Sequence, residues 1–346
     1  MRRALCAVAV LGLLATGCTK EEPPVAAPSP SPSPSPSPSP SPEPPQLAAL
    51  TGQELTEPID RPVLAVKIDN ASSALPPDGI EDADIVFEEE VEGGITRFLA
   101  LFHSKDPEEV GPVRSGREAD AELLPPFNAV LAFSGAANPV QALFRDAGIP
   151  FYEEGEADGA FYRVSDRIAP HNLFAKTEPL WAQGEDIELL DEPVATFDET
   201  APASGRPASA VEVTYSPYAN ATWVWEPAKE HWEREQNGSA HATAQGRTIS
   251  ADNVVVMWVQ SRPGNRTDSG GNPTVELDVV GQGRAVYFRD GEQFQGRWEK
   301  ASADDHIVWY SGSDEFPLRP GQTFVEILPV GDDMSVQRSG GAGSDD

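Results

Sequence analysis

Two apolar runs separated by a glycine pair place the strongest constraint on how this chain folds. They span residues 83–92 and 95–103, are rich in β-branched and aromatic side chains, and flank Gly93-Gly94. Glycine at both turn positions allows the positive φ angles that a tight hairpin turn needs. The pattern therefore predicts an antiparallel β-hairpin with a two-residue loop.

The predicted loop also sets the register of the hairpin, because a two-residue turn leaves one way to align the strands. In that register Arg97 lies directly opposite Glu90 and diagonally from Glu88 and Glu92. Alternation along each strand then predicts one largely apolar face that packs on a core. The opposite face is predicted to collect the charged side chains.

Two more arginines follow, at the predicted start of a helix. Ser115 and Glu118 have the spacing of a capping box, and the helix is predicted to run to about Leu124. Arg114 precedes this cap and Arg117 lies in the first turn, where the helix macrodipole disfavours cations. Their charge needs a counter-charge, which is either a bound phosphate or carboxylate ligand or the carboxylates of the hairpin. The second alternative is an internal network that holds the helix to the sheet.

A loop motif adds a histidine and an asparagine to the candidate residues. His171 and Asn172 lie in the run RIAPHNLF, where the imidazole can carry a proton, bind an anion, ligate a metal or simply order the loop. The five histidines of the chain show no HxH or HExxH spacing, so no metal site is predicted. The candidate catalytic residues are Glu88, Glu92 and His171, and the candidate ligand-binding residues are Arg97, Arg114, Arg117, His171 and Asn172.

The rest of the N-terminal half interleaves strands and helices. Apolar runs predict strands at residues 62–68 and 129–134, and a proline after Asn138 starts a predicted helix. This order favours the α+β class, with an α/β-type layered N-terminal domain over residues 61–196 and the antiparallel hairpin in its sheet. Residues 197–207 are small, polar and interrupted by proline, which predicts a linker.

A β-rich C-terminal domain is predicted over residues 208–332, because short strand-like runs alternate there with glycine-containing turn signals. Aromatic residues recur through it, and alternation places Trp223 and Trp225 on one face. Such rings either form the core or stack against sugar rings. Residues 333–346 are predicted to be a disordered tail.

The N-terminus has the pattern of a bacterial lipoprotein. Residues 1–17 combine two arginines with a short apolar stretch, which predicts a signal peptide rather than a membrane-spanning helix. The run ATGC at residues 15–18 resembles a lipobox, so lipidation is predicted at Cys18. A Pro-Ser repeat between residues 28 and 42 favours extended polyproline II and predicts a tether over residues 18–60.

The charge of the chain limits its partners. The sequence has 56 acidic and 25 basic side chains, which gives a formal net charge of −31. Nucleic acid is therefore not a predicted partner, because phosphate backbones bind to basic surfaces. The acidic surface is compatible with divalent cations, although no cofactor is predicted.

Three motifs that occur in order, ADIVFEEEVEGGITRFLALF, VGPVRSGR and RIAPHNLF, resemble the YerB-like bacterial lipoproteins. The resemblance extends from about residue 61 to about residue 330. That family is described as a domain of unknown function with a distinct C-terminal partner domain, so the resemblance implies this architecture without implying an activity. The family pattern falls on Glu88, Glu92, Gly93, Gly94, Thr96, Arg97, Gly111, Pro112, Arg114, Arg117, His171 and Asn172.

Together these features predict a lipoprotein anchored on the extracytoplasmic face of the bacterial cell membrane. We expect it to act as a binding or interaction protein of the cell envelope, with an anion site formed by the arginine cluster and an envelope ligand or protein as its partner. The alternative is a phosphotransferase-like or hydrolase-like enzyme that acts on a phosphorylated envelope substrate. In that case the arginines would hold the phosphate, Glu88 or Glu92 would act as base or Mg²⁺ ligand, and His171 would move a proton.

Overall fold

The computed structural model describes residues 45–268 and 270–338. The predicted signal peptide, the lipidation residue Cys18 and the Pro-Ser repeat lie outside these residues, as does the part of the predicted tail beyond residue 338. Within the two ranges, none of the helices has the length and the apolar character that crossing a membrane requires.

Strands dominate the secondary structure. In chain order they are β1 (Val63–Asp69), β2 (Ile85–Val91), β3 (Ile95–Phe102), β4 (Glu109–Val110), β5 (Ala129–Phe133), β6 (Phe151–Glu153), β7 (Phe161–Arg163), β8 (Leu173–Lys176), β9 (Arg206–Pro207), β10 (Ala210–Ser216) and β11 (Ala219–Glu226). They continue with β12 (His231–Gln236), β13 (Ser239–Ala240), β14 (Ser250–Ala251), β15 (Asn253–Thr267), β16 (Pro273–Asp278), β17 (Gly281–Arg289), β18 (Glu292–Lys300), β19 (Val308–Ser311), β20 (Asp314–Glu315), β21 (Thr323–Pro329) and β22 (Asp333–Gln337).

Helices are few and short. The α-helices in the described ranges are α1 (Glu118–Leu123), α2 (Asn138–Asp146) and α3 (Thr177–Trp181). Single 3₁₀ turns occur at Ser72–Ala74, Ile80–Asp82, Pro125–Phe127, Ala157–Gly159 and Ala182–Gly184.

A mixed sheet of thirteen strands forms the centre of the described structure. Its order is β20-β19-β18-β17-β15-β21-β2-β3-β1-β5-β6, with β16 added to β15 and β9 added to β18. Strand β21 lies between β2 and β15 and is parallel to both. The sheet therefore runs without a break through strands from both halves of the sequence. The predicted domain boundaries at residues 196 and 208 stay predictions.

The predicted α+β class is wrong, because strands account for 45% of the described residues and helices for 12%. The three α-helices have six, nine and five residues, so they are too short to cover a sheet of this size. A second sheet, with the order β13-β12-β11-β10-β22 and β14 added to β12, takes that place on one face of the large sheet. Leu64 and Val66 of β1 share one buried cluster with Val211 and Trp223 of this second sheet.

The two faces of the large sheet bury separate cores. Alternation places Phe98 of β3 on the face covered by the second sheet, whereas Leu99 packs with residues of α1 and α2 on the opposite face. Both faces are therefore closed to water near the middle of β3. The aromatic residues of the C-terminal half contribute to both cores. Trp223 is fully buried and Trp225 packs on Trp232 with ring centroids 5.3 Å apart, which supports the core alternative.

The predicted hairpin is present as β2 and β3, but its loop has three residues and not two. Val91 pairs with Ile95, so residues 92–94 form the loop. Gly93 and Gly94 have φ angles of 79° and 68°, as the sequence requires. The predicted register is therefore wrong by one residue.

This slip changes every cross-strand neighbour of the hairpin. Arg97 lies opposite Glu89, and not opposite Glu90 as predicted. Glu88 lies opposite Phe98 and points toward the second sheet, away from Arg97. Charged side chains consequently occupy both faces of the hairpin, and the prediction of a single charged face is wrong.

The structure also shortens the predicted tether and the predicted tail. Ala48, Ala49 and Leu50 are buried, so the chain is already packed on the core before residue 60. At the other end, residues 333–337 form β22, which pairs with β10. Short polar and alanine-rich segments carry weak local signals, and here pairing with distant strands decides their conformation.

Candidate functional site

Three predicted arginines line a single cavity of about 700 Å³ on the helix-covered face of the large sheet. Arg97 comes from β3, and Arg114 and Arg117 come from the segment that leads into α1. Residues 135–137 before α2 form a second wall. The outer half of β15, with β16, forms a ribbon that contributes residues 265–268 and Thr274 to the third wall.

Arg97 is buried in this cavity without an ion-pair partner in the described part of the chain. The residue is 4% exposed, and Nη1 donates to the carbonyl oxygen of Ser115 at 3.0 Å. Its Nε is also buried and donates to no atom of the described residues. Burial, reinforced by the charges of Arg117 and Arg114, lowers the pKa of Arg97 to about 9. The guanidinium is therefore still charged at neutral pH.

Arg117 is paired with the hairpin loop. Its Nε donates to the Glu92 carboxylate at 3.1 Å, and Nη2 contacts the same oxygen. Its backbone N–H donates to the Asp120 carboxylate at 2.8 Å, so Arg117 is the residue that precedes α1. The predicted cap at Ser115 is therefore wrong by two residues, because Asp120 and not Glu118 supplies the acceptor.

Arg114 joins the cavity to a histidine through an aspartate that sequence reasoning missed. Its Nε lies 3.0 Å from Asp69 Oδ2, and the same oxygen is 2.7 Å from His171 Nδ1. Asp69 ends β1 and lies opposite Arg97 in the β1–β3 ladder. The signal that could have identified Asp69 is its position. It is a charged residue at the end of a largely apolar strand, and the neighbouring strand carries Arg97.

Beneath the arginines, a buried ion cluster attaches α1 to the sheet. Lys67 Nζ lies 2.7 Å from Asp120 Oδ1 and also contacts Glu89. All three side chains are almost fully buried, and burial raises the pKa of the Glu89 carboxyl, whereas the charge of Lys67 lowers it. Of the predicted Arg–Glu network the structure contains the Arg117–Glu92 pair, whereas this lysine cluster next to it was not predicted.

Glu88 is not part of the cavity. It lies between the two sheets, where Arg234 Nη2 is 2.6 Å from its Oε2 and Thr96 also donates to it. Glu326 of β21 is its neighbour in the parallel ladder. The structure therefore separates Glu88 from Glu92, although both are predicted catalytic candidates.

Asn172 is also remote from the arginines. Its Oδ1 accepts a hydrogen bond from Arg163 at 2.6 Å, and its Nδ2 donates to the carbonyl oxygen of Val164 at 3.1 Å. These contacts order the loop between β7 and β8. His171, its neighbour in sequence, reaches the arginine cluster only through Asp69.

The ribbon of β15 and β16 is the second feature that sequence reasoning missed. Arg266 on the ribbon forms an ion pair with Glu118 of α1, and this pair attaches the ribbon to the helix across the cavity. The glycines near residue 270 predicted a turn, but no local pattern shows that the ribbon folds back over α1. This pairing adds a fourth arginine to the cavity wall.

The chemistry of the cavity is that of an anion site. Guanidinium groups bind carboxylates and phosphates through parallel N–H donors. Arg117 and Arg114 each have a carboxylate partner, whereas Arg97 has only a carbonyl oxygen. An anion that enters the cavity would give the Arg97 guanidinium an ionic partner.

Comparison with known proteins adds a family and a fold. The model of the DUF3048 N-terminal domain, described as a protein of unknown function, matches residues 50–189, and the model of the DUF3048 C-terminal domain matches residues 211–325. A protein of Bacillus subtilis (strain 168) named "Putative lipoprotein YerB" is 27% identical over 305 residues, which cover 85% of this chain and 89% of that protein. The crystal structure of the Bacillus subtilis YerB protein matches with a TM-score of 0.74 at 24% identity, over 84% of this chain and 99% of that chain.

Proposed function

This chain belongs to the DUF3048 family, and we propose that it is a membrane-anchored binding protein of the cell envelope that holds an anionic ligand in its arginine-lined cavity. One observation carries the proposal. Arg97 is charged and 4% exposed, yet its guanidinium has no carboxylate partner among the described residues.

The energetic case follows from the cost of burying charge. A buried ion without a counter-ion is destabilising by several kcal/mol, because the protein interior does not replace its hydration. Two further arginines next to Arg97 add repulsion, which the nearby carboxylates of Glu92 and Asp69 offset in part. A bound phosphate or carboxylate would remove both costs, so the folded chain is primed to bind an anion.

The cavity has room for more than an inorganic ion. Its volume of about 700 Å³ falls within the range of about 300–1,000 Å³ that small-molecule sites occupy. The ribbon, which the Arg266–Glu118 ion pair attaches to α1, covers one side of the cavity and leaves the cavity open to solvent elsewhere. The ligand class that fits best is a small molecule or a chain end that carries a phosphate or carboxylate group.

The anchor is proposed from the N-terminal sequence and the named relative. The run ATGC before residue 19 has the lipobox pattern, and the relative from Bacillus subtilis is named as a lipoprotein. Lipidation of Cys18 would hold the chain on the extracytoplasmic face of the membrane. The Pro-Ser repeat would then separate the folded part from the lipid surface.

A phosphotransferase with Glu88 as its base fits the geometry less well. Glu88 is 1% exposed between two sheets and points away from the cavity. Glu92 is within the cavity but is held by Arg117. Binding of an anion without phosphoryl transfer therefore needs fewer side-chain rearrangements in the cavity.

Thermal-shift measurements on the chain that begins at Gln46 test the proposal. Phosphate, pyrophosphate and acetate serve as probes, because a ligand that binds only the folded state raises the Tm by mass action. We expect a concentration-dependent rise for at least one anion, and none for matched concentrations of chloride.

The Arg97→Met variant separates ligand binding from structure. Removing an unpaired buried cation should leave the Tm unchanged or higher, while the shift caused by the anion disappears. Arg297→Gln is the control, since Arg297 is an exposed arginine paired with Glu299 outside the cavity. A fall in stability of several kcal/mol in Arg97→Met, with no anion response in the unmodified chain, would show that the cluster is purely structural.

A further inference from the structure

Asp69, His171 and Ser73 form a continuous chain of hydrogen bonds beside the arginine cavity. His171 Nδ1 lies 2.7 Å from Asp69 Oδ2, and His171 Nε2 lies 2.9 Å from Ser73 Oγ. Because the carboxylate accepts, Nδ1 must carry the proton, which leaves Nε2 free to accept from the serine hydroxyl. This is the order and the tautomer in which a histidine acts as general base for a serine nucleophile.

The burial of the three residues decreases along this chain of hydrogen bonds, from the carboxylate to the hydroxyl. Asp69 is 1% exposed, His171 is partly buried, and Ser73 is exposed to solvent. The carboxylate that orients the imidazole is thus protected from water, while the hydroxyl is accessible to a substrate. A hydrogen bond formed only to order a loop would not need an exposed hydroxyl at its end.

The turn that carries Ser73 is fixed from several sides. Asp69 Oδ1 accepts the Ala71 N–H at 3.1 Å, and Ala71 O accepts the Ala74 N–H at 2.8 Å. Arg167 then donates to the carbonyl oxygens of Ala74 at 2.8 Å and Pro76 at 2.7 Å. These contacts hold the hydroxyl at a fixed distance from the imidazole, as pre-organised nucleophiles require.

The loop that carries His171 is equally constrained. The His171 N–H donates to the carbonyl oxygen of Ile168 at 3.0 Å. The next residue, Asn172, is tied to Arg163 and Val164, as described above. Asn172 therefore has a positioning role for the imidazole.

We propose that Ser73 is a nucleophile activated by His171 and Asp69, and that this site cleaves carboxylic esters by acyl transfer. Ser73 Oγ forms a bond to the acyl carbon, and its proton passes to His171 Nε2. The bond from the acyl carbon to the alkoxy oxygen breaks, and the leaving alcohol takes the proton from the imidazolium. Water then attacks the acyl-enzyme with the same base, which releases the carboxylic acid and restores the serine.

This activity goes beyond the proposed anion binding and does not depend on it. Asp69 Oδ2 contacts both His171 and Arg114, so the serine and the arginine cavity share one carboxylate. The carboxylate product of ester cleavage is itself an anion. The two sites can nevertheless fail separately, because Ser73 does not line the cavity.

Covalent labelling of the full-length protein in detergent tests the proposal. A fluorophosphonate probe reacts with an activated serine by displacing fluoride, and peptide mass spectrometry identifies the modified residue. We expect one label on Ser73, and hydrolysis of p-nitrophenyl acetate that the same label blocks. Ser73→Ala should abolish the label, and His171→Gln should lower the labelling rate at least about 100-fold, which is the range for loss of a general base.

Two matched variants keep the result interpretable. Ser72→Ala removes the neighbouring exposed hydroxyl, and His231→Gln removes a partly buried histidine of β12, so both should label at the unmodified rate. Circular dichroism and Tm confirm that Ser73→Ala, which changes an exposed atom, is folded. Labelling that is absent from the unmodified protein, or that is equal in His171→Gln, would overturn the proposal. Phosphate binding in the cavity would be unaffected by either outcome.

Discussion

We predict that the buried carboxyl of Glu326 makes the stability of this protein fall as pH rises. Glu326 lies on β21 between the two sheets, where Trp223 Nε1 donates to its Oε1 at 2.7 Å and the Tyr215 hydroxyl donates to its Oε2 at 2.8 Å. Burial, and then the nearby charge of Glu88, raise its pKa from an ordinary 4.5 to about 8. The charge of Arg234 opposes this rise only in part.

The direction of this pH dependence follows from the number of protons that the folded and the unfolded chain bind. Between pH 4.5 and about 8, the folded chain holds a proton on Glu326 that the unfolded chain has lost. The stabilisation is complete below pH 4.5 and is lost as pH rises through about 8. A pKa difference of this size corresponds to an upper limit of about 5 kcal/mol in the free energy of unfolding, and we expect about 2–5 kcal/mol.

Glu326→Gln should remove this dependence. A glutamine keeps an acceptor for Trp223 and supplies an N–H that can face Glu88, as the protonated carboxyl does, but it does not titrate. The Tyr215 hydroxyl has a second acceptor within reach, since the Glu88 carbonyl oxygen is 3.3 Å away. The variant is therefore expected to match the unmodified protein near pH 5 and to exceed its stability above pH 8.

Urea unfolding at half-unit steps from pH 5 to pH 9 measures the effect. Glu212→Gln is the control, because Glu212 is exposed on β10 and should leave the pH profile unchanged. Glu90, whose pKa is raised to about 7 by burial and by Asp332, adds a smaller slope to both proteins. The reasoning is refuted if the difference between Glu326→Gln and the unmodified protein is the same at every pH.

Two further predictions concern the ion cluster under the cavity and the N-terminal anchor. Lys67→Met should lower the free energy of unfolding by about 3–5 kcal/mol in urea titrations, because it leaves the buried Glu89 and Asp120 carboxylates without a counter-ion; a change below about 1 kcal/mol would contradict the assignment. Cys18→Ser should move the protein from the membrane fraction to the soluble fraction on cell fractionation, because no acyl chain is attached. Persistence in the membrane fraction would show that Cys18 is not the anchor.

Local sequence signals predicted the elements of this fold better than their arrangement. The runs at residues 63–66, 129–133 and 254–259 are continuous apolar segments, and each lies in a buried part of a strand. The position of β21 between β2 and β15 has no local signal, because parallel pairing joins residues that are far apart in sequence. The large mixed sheet was for this reason not predicted.

In the hairpin, a difference of one residue in loop length decides which face each side chain occupies. A glycine pair fits a two-residue loop and also a three-residue loop that takes in Glu92. The choice between them moves Glu88 from the arginine side to the opposite face of the sheet. The packing of Phe98 and Leu99 on opposite faces of the sheet decides the loop length, and the local sequence pattern does not show this packing.

The candidate site was predicted in part. Sequence spacing grouped Arg97, Arg114 and Arg117, and the structure places them around one cavity. The sequence pattern assigned no role to Asp69, because its two partners, Arg114 and His171, lie far along the chain. The role of these residues in binding stays a prediction until an anion is tested.

The place of β21 between β2 and β15 has a consequence for the order in which the sheet can form. The ribosome makes β2 early, but β2 has no parallel neighbour until β21, which ends at Pro329, has been synthesised. Until then an apolar strand edge and both faces of the hairpin are open to other chains. Such distant pairing is also slow to form. The edge of β2 is therefore among the last parts of the central sheet to be covered, after nearly all of the described chain has been made.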